Sequence, residues 1–266
     1  MLNIQALIID PQNDFCNPNG SLFVKGADED MKRLAKMVGR MSGKLSDIHV
    51  TLDSHLILDI SHPSWWKDSS GNAAAPFTPI SAADLRAGKW TTSIPGAFTR
   101  SLEYLDELGK RGRYGHLVWP EHCLIGDEGH NVYPVLAAAV HEWERSRKMM
   151  TGFVTKGSNP WTEHFSAVEA KVPDPEDPST QHNGELITTL KQADVILLAG
   201  EARSHCLANT VFDIGSAFKD PELIRKLVLL TDCSSDVSGF EHLGDKFLAE
   251  MTARGMRTAT SVDFLA

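Results

Sequence analysis

Short apolar runs that end abruptly in polar residues are the feature that most constrains the fold. Five such runs occupy residues 6–9, 48–52, 153–155, 195–199 and 227–230. Apolar runs of this length are typical of buried parallel strands. Stretches with helical periodicity lie around them, at residues 28–41, 134–147, 183–190, 206–218 and 240–253. Strands that alternate with helices predict an α/β fold with three layers, in which helices cover both faces of a mostly parallel sheet.

Polar residues stand at the ends of four of these predicted strands. Asp10, Asp53 and Lys156 end three of them, and a turn over residues 200–206 ends the fourth and leads to Cys206. In parallel sheets of this kind, ligands bind at the carboxyl ends of the strands. We therefore expect these side chains to meet in one functional site.

Length and composition limit the classes of protein to consider. The 266 residues suit one large domain, and one segment, residues 64–114, interrupts the alternation as an insertion or lid. A net charge of −9 argues against a broad nucleic-acid footprint. Long uncharged apolar segments and a cationic leader are both missing, so we expect a cytoplasmic protein that is not a membrane protein. The 4 cysteines lack CxxC spacing, which predicts free thiols.

Cys206 is the candidate nucleophile, because it follows a predicted strand and opens a predicted helix. The positive end of a helix dipole favours a thiolate, and free N–H groups at that turn can bind an oxyanion. A small buried cysteine that only packs beneath the sheet is the alternative.

Asp10 and Lys156 are candidates for proton transfer and for charge stabilisation. An acid at a strand end can accept a proton, and a lysine there can hold a carboxylate and a thiolate together. Taken singly, Asp10 is equally compatible with a turn or helix cap, and Lys156 with a solvated surface charge.

A second cluster of polar residues has the composition of a metal site. Asp53 and His55 stand two residues apart at a strand end, His62 follows, and His122 lies in a distant loop. Imidazole with carboxylate suits Zn, Fe or Mn. The alternative is a set of hydrogen-bonded histidines without a metal.

Aromatic residues accompany both clusters and can form an apolar slot for a flat ring. They are Phe15, Trp65, Trp66, Trp119 and Trp161. Core packing is the alternative role for each of them.

Five segments in order resemble the isochorismatase-like cysteine hydrolases, and within them the nicotinamidase/pyrazinamidase branch. They are ALIIDPQNDFCNPNGSLFVKGA, TLDSH with the histidine that follows it, LVWPEHCLIGDEG, FVTKGSNPWTEHFSA and LLAGEARSHCLANTVFDI. The resemblance spans nearly the whole chain. It implies a sheet of about six strands in one domain and a cysteine amidohydrolase activity, most directly on nicotinamide.

The resemblance also implies residue roles. Asp10, Lys156 and Cys206 would be catalytic, and a cis peptide at Glu201-Ala202 would direct the N–H groups of Ala202 and Cys206 to the oxyanion. Phe15, Trp119 and Glu201 would contact the substrate. A divalent metal (Zn, Fe or Mn) would be bound by Asp53, His55 and His122, with His62 as a further candidate ligand. The family is often oligomeric, which implies a homo-oligomer.

The chain departs from the family pattern just before the nucleophile, where Glu201 and Arg203 replace less charged residues. These departures leave two alternatives open. One is a related hydrolase of the same fold that acts on another small amide, a carbamoyl compound or a vinyl ether. The other is a catalytically silent binding protein.

Overall fold

The computed structural model describes residues 2–265. Its strands are β1 (Ile4–Ile9), β2 (Leu45–Asp53), β3 (Trp66–Asp68), β4 (Pro79–Ile80), β5 (Trp90–Thr92), β6 (His116–Leu117), β7 (Gly152–Lys156), β8 (Val195–Gly200), β9 (Leu227–Leu230) and β10 (Arg257–Ala259). Its α-helices are α1 (Asn13–Cys16), α2 (Ala27–Met41), α3 (Ala82–Arg86), α4 (Phe98–Arg111), α5 (Pro134–Arg147), α6 (Gly184–Lys191), α7 (Ala208–Phe218), α8 (Pro221–Ile224) and α9 (Glu241–Ala253).

The central sheet confirms the predicted α/β fold. Six strands pair in the order β10-β9-β8-β1-β2-β7, and every pairing in this sheet is parallel. All five apolar runs lie in these strands. The sixth strand, β10, escaped prediction because its three residues are Arg, Thr and Ala, and none of them is buried.

The direction of the crossovers determines which face of the sheet each helix covers and where the ligand crevice lies. From β1 the chain moves through α2 to β2, and from β8 it moves through α7 to β9 in the opposite direction. Because such crossovers are right-handed, the two helices cover opposite faces. α2 packs against α5 on one face, and α7 packs against α6 and α9 on the other. The strand order therefore reverses between β1 and β8, and the carboxyl ends at such a point form the crevice in which ligands bind.

The segment 64–114 has a hydrophobic cluster of its own. It contains α3, α4 and the antiparallel pair β3–β5, while β4 pairs with β6 just beyond it. Trp65, Trp66, Leu105 and Leu108 are buried together there. The segment is therefore packed structure, and a role as a lid stays a prediction.

Two further sequence expectations concern the cysteines and membrane-spanning helices. All four cysteines are free thiols, as predicted, and all are buried. Between residues 2 and 265, none of the helices has both the length and the apolar character needed to cross a bilayer.

Candidate active site

Lys156 lies at the centre of the site, where three strand ends and the nucleophile turn meet. Its Nζ lies 2.8 Å from Asp10 Oδ2 and 3.0 Å from Asp53 Oδ1. It also lies 3.7 Å from Cys206 Sγ, and it donates to the carbonyl of His164 at 3.0 Å. The structure thus brings together the residues that the sequence analysis predicted to be catalytic.

Thr51, on the neighbouring strand β2, holds Asp10 in position. Its N–H donates to Thr51 Oγ1 at 3.0 Å, and the Thr51 hydroxyl donates back to Asp10 Oδ1. Asp10 is fully buried and has a left-handed backbone, with a φ of 42°. Its carboxylate, that of Asp53 and the Cys206 sulfur lie within 4.8 Å of one another. The Lys156 ammonium lies within 3.7 Å of all three groups, so their negative charge already has a cation beside it.

Burial and charge decide the protonation states of this group. Burial raises the pKa of the Cys206 thiol well above its ordinary value, and Lys156 offsets only part of that effect. Burial also raises the pKa of Asp10, against the opposing influence of Lys156. Burial alone would lower the pKa of Lys156, but Asp10 and Asp53 outweigh it and raise that pKa. The resting site therefore has a neutral thiol, a charged lysine and a carboxylate with increased proton affinity.

The turn that presents Cys206 requires glycine at its start. Gly200 has a φ of 106°, and a Cβ there would lie 2.0 Å from the carbonyl oxygen of Ile9. The Glu201-Ala202 peptide that follows is cis, as predicted. A single π-helical turn, Arg203–Leu207, then leads into α7.

Four backbone N–H groups hold this turn in place. Glu201 donates to Ile9, Arg203 donates to Ser235, and both His205 and Leu207 donate to the carbonyl of Ala202. The N–H groups of Ala202 and Cys206 are not among these donors. They are the pair that the sequence analysis predicted to face the oxyanion.

Asp53 also belongs to a group of possible metal ligands beside the thiol. Its Oδ2 lies 3.1 Å from His55 Nε2 and 3.4 Å from His122 Nε2. The ligand atoms of these three buried residues lie within 4.8 Å of one another. Gly157 packs against them, because a Cβ there would lie 2.8 Å from Asp53 Oδ1.

The hydrogen bonds of the histidines fit a metal. His55 Nδ1 lies 3.0 Å from Asp59 Oδ2, and His122 Nδ1 lies 2.7 Å from the carbonyl of Pro120. Partners of this kind hold the proton on Nδ1 and leave the Nε2 lone pair for a metal. His62 Nδ1 likewise lies 3.1 Å from the carbonyl of Leu56, while its buried Nε2 has no partner among residues 2–265.

His62 therefore has the chemistry of a fourth ligand. Its ring lies 5.0 Å from that of His55 and 5.3 Å from that of His122, centroid to centroid. It lies outside the 4.8 Å group. Burial and the neighbouring histidines lower its pKa to about 3, so the imidazole is neutral. A neutral imidazole is the form that binds a metal.

An apolar pocket opens over the thiol and the metal ligands. Phe15 and Trp119 line it, as predicted, together with Leu22, Val24, Phe165 and Val237. The indole N–H of Trp119 donates to Glu163 Oε1 at 2.6 Å, and Glu163 is paired with Lys171 at 3.1 Å. This buried ion pair fixes one wall of the pocket.

Sequence reasoning missed three polar residues of the pocket, which are Glu163, His164 and His205. His205 directly precedes the nucleophile, and the other two follow Lys156 within eight residues. That closeness to predicted catalytic residues was the available signal. Burial lowers the pKa of both histidines to about 3, so each is a neutral group in the pocket.

One predicted substrate contact needs correction. Glu201 was predicted to contact substrate, but its carboxyl is fully buried outside the pocket lining, where Oε2 accepts from the N–H of Ser235 at 3.1 Å. Arg203, the other departure from the family pattern, is paired with Asp236. Neither side chain belongs to the lining of the pocket.

The aromatic residues of the insertion also lie elsewhere. Trp65 and Trp66 belong to the separate hydrophobic cluster of the insertion. Trp161 packs edge-on against Trp65, with a centroid distance of 4.9 Å. Of the five aromatic candidates, Phe15 and Trp119 remain as pocket residues.

Solved structures with the same architecture include nicotinamidases and pyrazinamidases. The Acinetobacter baumanii nicotinamidase/pyrazinamidase matches with a TM-score of 0.63 and 18% identity, over 99% of this chain and 98% of its own. Yeast nicotinamidase bound to the inhibitor nicotinaldehyde matches with a TM-score of 0.65 and 18% identity, over 97% and 99%. Pyrococcus horikoshii pyrazinamidase in complex with zinc matches with a TM-score of 0.55 and 17% identity, over 97% and 99%.

Sequence comparisons add no closer relative. The chain matches no protein-family model and no curated protein. At the identities above, the structural likeness establishes the fold: this chain has the same fold as these nicotinamidases and pyrazinamidases over nearly its whole length. Its activity has to be argued from the site.

Proposed function

We propose that this chain is a cysteine amidohydrolase that converts nicotinamide to nicotinate and ammonia. The observation that carries the proposal is the position of Lys156 Nζ, 2.8 Å from the carboxylate of Asp10 and 3.7 Å from the sulfur of Cys206, whose side chain lines an apolar pocket. A thiol, a base and a cation in this arrangement can form and hydrolyse an acyl-enzyme. Nicotinate and nicotinaldehyde occupy structures of the same fold.

Acylation begins with the neutral thiol. Asp10 removes the proton of Cys206 as the sulfur attacks the carbonyl carbon of the amide. The Lys156 ammonium stabilises the negative charge that passes between them. The N–H groups of Ala202 and Cys206 bind the oxyanion, a contribution typically worth about 10²–10³ in rate for one donor. Protonated Asp10 then gives its proton to the leaving nitrogen, so ammonia departs and a thioester remains.

Deacylation uses the same groups in reverse. Asp10 takes a proton from water as the water oxygen attacks the thioester carbon. The second tetrahedral intermediate collapses, the C–S bond breaks, and the sulfur recovers a proton from Asp10. Nicotinate is released and the resting site is restored.

The metal enters this proposal as a positioning element. Asp53, His55 and His122 would hold a divalent cation such as Zn, Fe or Mn, with His62 as a further ligand. When bound, the cation would supply a Lewis acid for the ring nitrogen of the substrate. Phe15 and Trp119 would hold the ring between them.

The test measures ammonia release from nicotinamide, with benzamide as the matched substrate that lacks the ring nitrogen. We expect chelator-sensitive release from nicotinamide, much slower release from benzamide, and none from Cys206→Ala, which should still bind zinc. Turnover by Cys206→Ala would refute the covalent mechanism. Equal rates on both amides would refute recognition of the ring nitrogen and favour another small amide as substrate.

The assembly and location of the protein are also proposals. We propose a cytoplasmic homo-oligomer; the family resemblance supports the assembly. Sedimentation equilibrium of the purified chain should give a multiple of its 29.2 kDa mass. A monomer at all concentrations would contradict the proposed assembly without affecting the proposed chemistry.

A further inference from the structure

Two buried carboxyl groups lie behind the nucleophile turn and take no part in the mechanism above. Glu201 is 0% exposed, and Asp30, from α2, is 2% exposed. Both carboxyl groups bind Ser235, which donates through its N–H to Glu201 Oε2 and through its hydroxyl to Asp30 Oδ2, and each influences the pKa of the other. Glu201 directly precedes Ala202, whose N–H is one of the proposed oxyanion donors. The peptide group that joins the two residues therefore connects the carboxyl pair to the proposed oxyanion site.

The hydrogen bonds around the pair leave one oxygen without a donor. Asp30 Oδ1 accepts from Arg33 Nη2 at 2.5 Å, and Asp30 Oδ2 accepts from Ser235 Oγ at 2.5 Å. Glu201 Oε2 accepts from the N–H of Ser235 at 3.1 Å. In the described part of the chain, Glu201 Oε1 is buried and receives no N–H or O–H donor. Both oxygens of Asp30 thus accept hydrogen bonds, as an ionised carboxylate requires, whereas only one oxygen of Glu201 does.

Two carboxylates at this separation in a buried site cannot both be ionised without a large cost. Burial raises the pKa of Glu201 well above its ordinary value, and the charge of Asp30 raises it further. A protonated Glu201 can donate to Asp30, which satisfies the remaining oxygen. The hydrogen-bond pattern and the electrostatics therefore agree on one proton, carried by Glu201.

Ser235 connects this pair to the turn on both sides. Its N–H and hydroxyl donate to Glu201 and Asp30, while its carbonyl accepts from the N–H of Arg203 at 2.8 Å. On the other side, the N–H of Glu201 donates to the carbonyl of Ile9 at 2.8 Å. The peptide that carries the Ala202 N–H is therefore held between β1 and the loop that follows β9.

We propose that Glu201 and Asp30 share one proton, and that this acid–carboxylate pair is the positioning element that directs the N–H groups of Ala202 and Cys206 into the pocket. The role in catalysis rests on the proposed amidohydrolase function, whereas the shared proton does not. When the proton is lost at alkaline pH, two negative charges face each other behind the turn, and the turn shifts.

The other ionisable groups around the pair do not account for the alkaline titration. They are Arg33 on α2, Cys16 on α1, Arg203 on the π turn, and Cys233 and Asp236 in the loop after β9. Burial raises the pKa of both thiols, so they stay neutral. The arginines remain charged, and Arg203 is paired with Asp236.

The experiment follows the backbone ¹⁵N–¹H resonances of Ala202 and Cys206 from about pH 6 to about pH 10, because the shared proton is lost only at alkaline pH. Glu201→Gln is compared with the wild type, and Glu29→Gln is the control, since Glu29 is an exposed acid on the same helix as Asp30. We expect both amides to titrate with one midpoint in the wild type and in the control, and neither to titrate in Glu201→Gln.

Folding stability and turnover are measured over the same pH range. Relative to Glu201→Gln, the folding equilibrium constant of the wild type should fall by up to about tenfold per pH unit between the ordinary and the raised pKa of Glu201. The alkaline loss of kcat should move to higher pH in Glu201→Gln. Asp30→Asn should move the midpoint of the amide titration to lower pH, because the charge of Asp30 is one of the causes that raise the pKa of Glu201. This variant serves if Glu201→Gln fails to fold, and an unmoved midpoint would overturn the shared proton.

The outcomes separate this inference from the proposed function. Amides that do not titrate in the wild type, or that titrate alike in both glutamate variants, would overturn the shared proton. Titrating amides with an unchanged kcat profile in Glu201→Gln would overturn the positioning role. A wild-type protein that titrates as expected but releases no ammonia from nicotinamide would refute the proposed substrate and leave the shared proton supported.

Discussion

Replacing Lys156 by methionine tests the electrostatic account of the site most directly. Methionine has a similar length and removes only the charge and the donors. The side chain of Lys156 is 1% exposed, and its Nζ lies 2.8 Å from one carboxylate and 3.0 Å from another. The substitution would leave Asp10 and Asp53 buried and without their shared cation.

The magnitude follows from these distances. At an effective dielectric constant of about 20, each contact corresponds to a gross Coulomb energy of about 6 kcal/mol. Desolvation of the three charges opposes most of that gain, and breaking a buried pair typically costs about 3–5 kcal/mol. We therefore expect Lys156→Met to lower the free energy of unfolding by about 3–5 kcal/mol at neutral pH.

Urea denaturation at several pH values measures this loss of stability and shows whether it grows or shrinks as the pH rises. Lys156 lowers the pKa of Asp10, so its removal raises that pKa still further above the value in the unfolded chain. A carboxyl group with a raised pKa loses stability as the pH rises from its unfolded pKa through its folded pKa. The deficit of the variant should thus be small near pH 5 and should grow toward pH 8, by at most about 1.4 kcal/mol per unit for each carboxyl group.

Lys89→Met is the matched control, because Lys89 forms an exposed pair with Asp84. Such pairs contribute about 0–1 kcal/mol. The double variant Lys156→Met/Asp10→Asn should regain part of the loss, since one unpaired charge is gone. Two results would refute the reasoning. One is a free energy of unfolding of Lys156→Met within about 1 kcal/mol of the wild type at neutral pH, which is the upper end for an exposed pair. The other is a stability deficit that shrinks as the pH rises.

Three further perturbations probe other parts of the site. Asp59→Asn should weaken zinc binding by about 10–100-fold in calorimetry, because it removes the carboxylate that orients His55; unchanged affinity would refute this orienting role of Asp59. Glu163→Gln should raise the KM for nicotinamide more than it lowers kcat, because the indole of Trp119 loses its charged acceptor, and a change confined to kcat would contradict this role. Gly200→Ala should lower the free energy of unfolding by at least 2 kcal/mol in urea denaturation, since its Cβ would overlap backbone, and a smaller loss would show that the turn can shift.

The sequence predicted the strands better than it predicted the surroundings of the side chains. Apolar runs marked five of the six sheet strands, and four of these five lie inside the sheet, where burial on both faces favours apolar residues at successive positions. The fifth, β7, is an edge strand with Phe153 exposed. β10 lies at the edge of the sheet and has no such run. The strand-end rule placed Asp10, Asp53 and Lys156 together without knowledge of their contacts.

Glu201 shows where sequence reasoning fails. Its neighbours along the chain place it beside the nucleophile, but its side chain faces Asp30, which lies 171 positions earlier. Burial of one acid against another depends on how α2 packs on the sheet, and no local pattern encodes that packing. The contact between Trp119 and Glu163 was missed for the same reason, since it joins two loops.

The protonated state of the resting thiol affects how the protein withstands oxidation. Peroxides attack cysteine as the thiolate, and susceptibility rises with exposure. Cys206 is 6% exposed, and its buried thiol keeps its proton until Asp10 removes it. The sulfur is therefore a poor target for sulfenic acid formation between turnovers, and it becomes reactive only when an acceptor carbon lies against it.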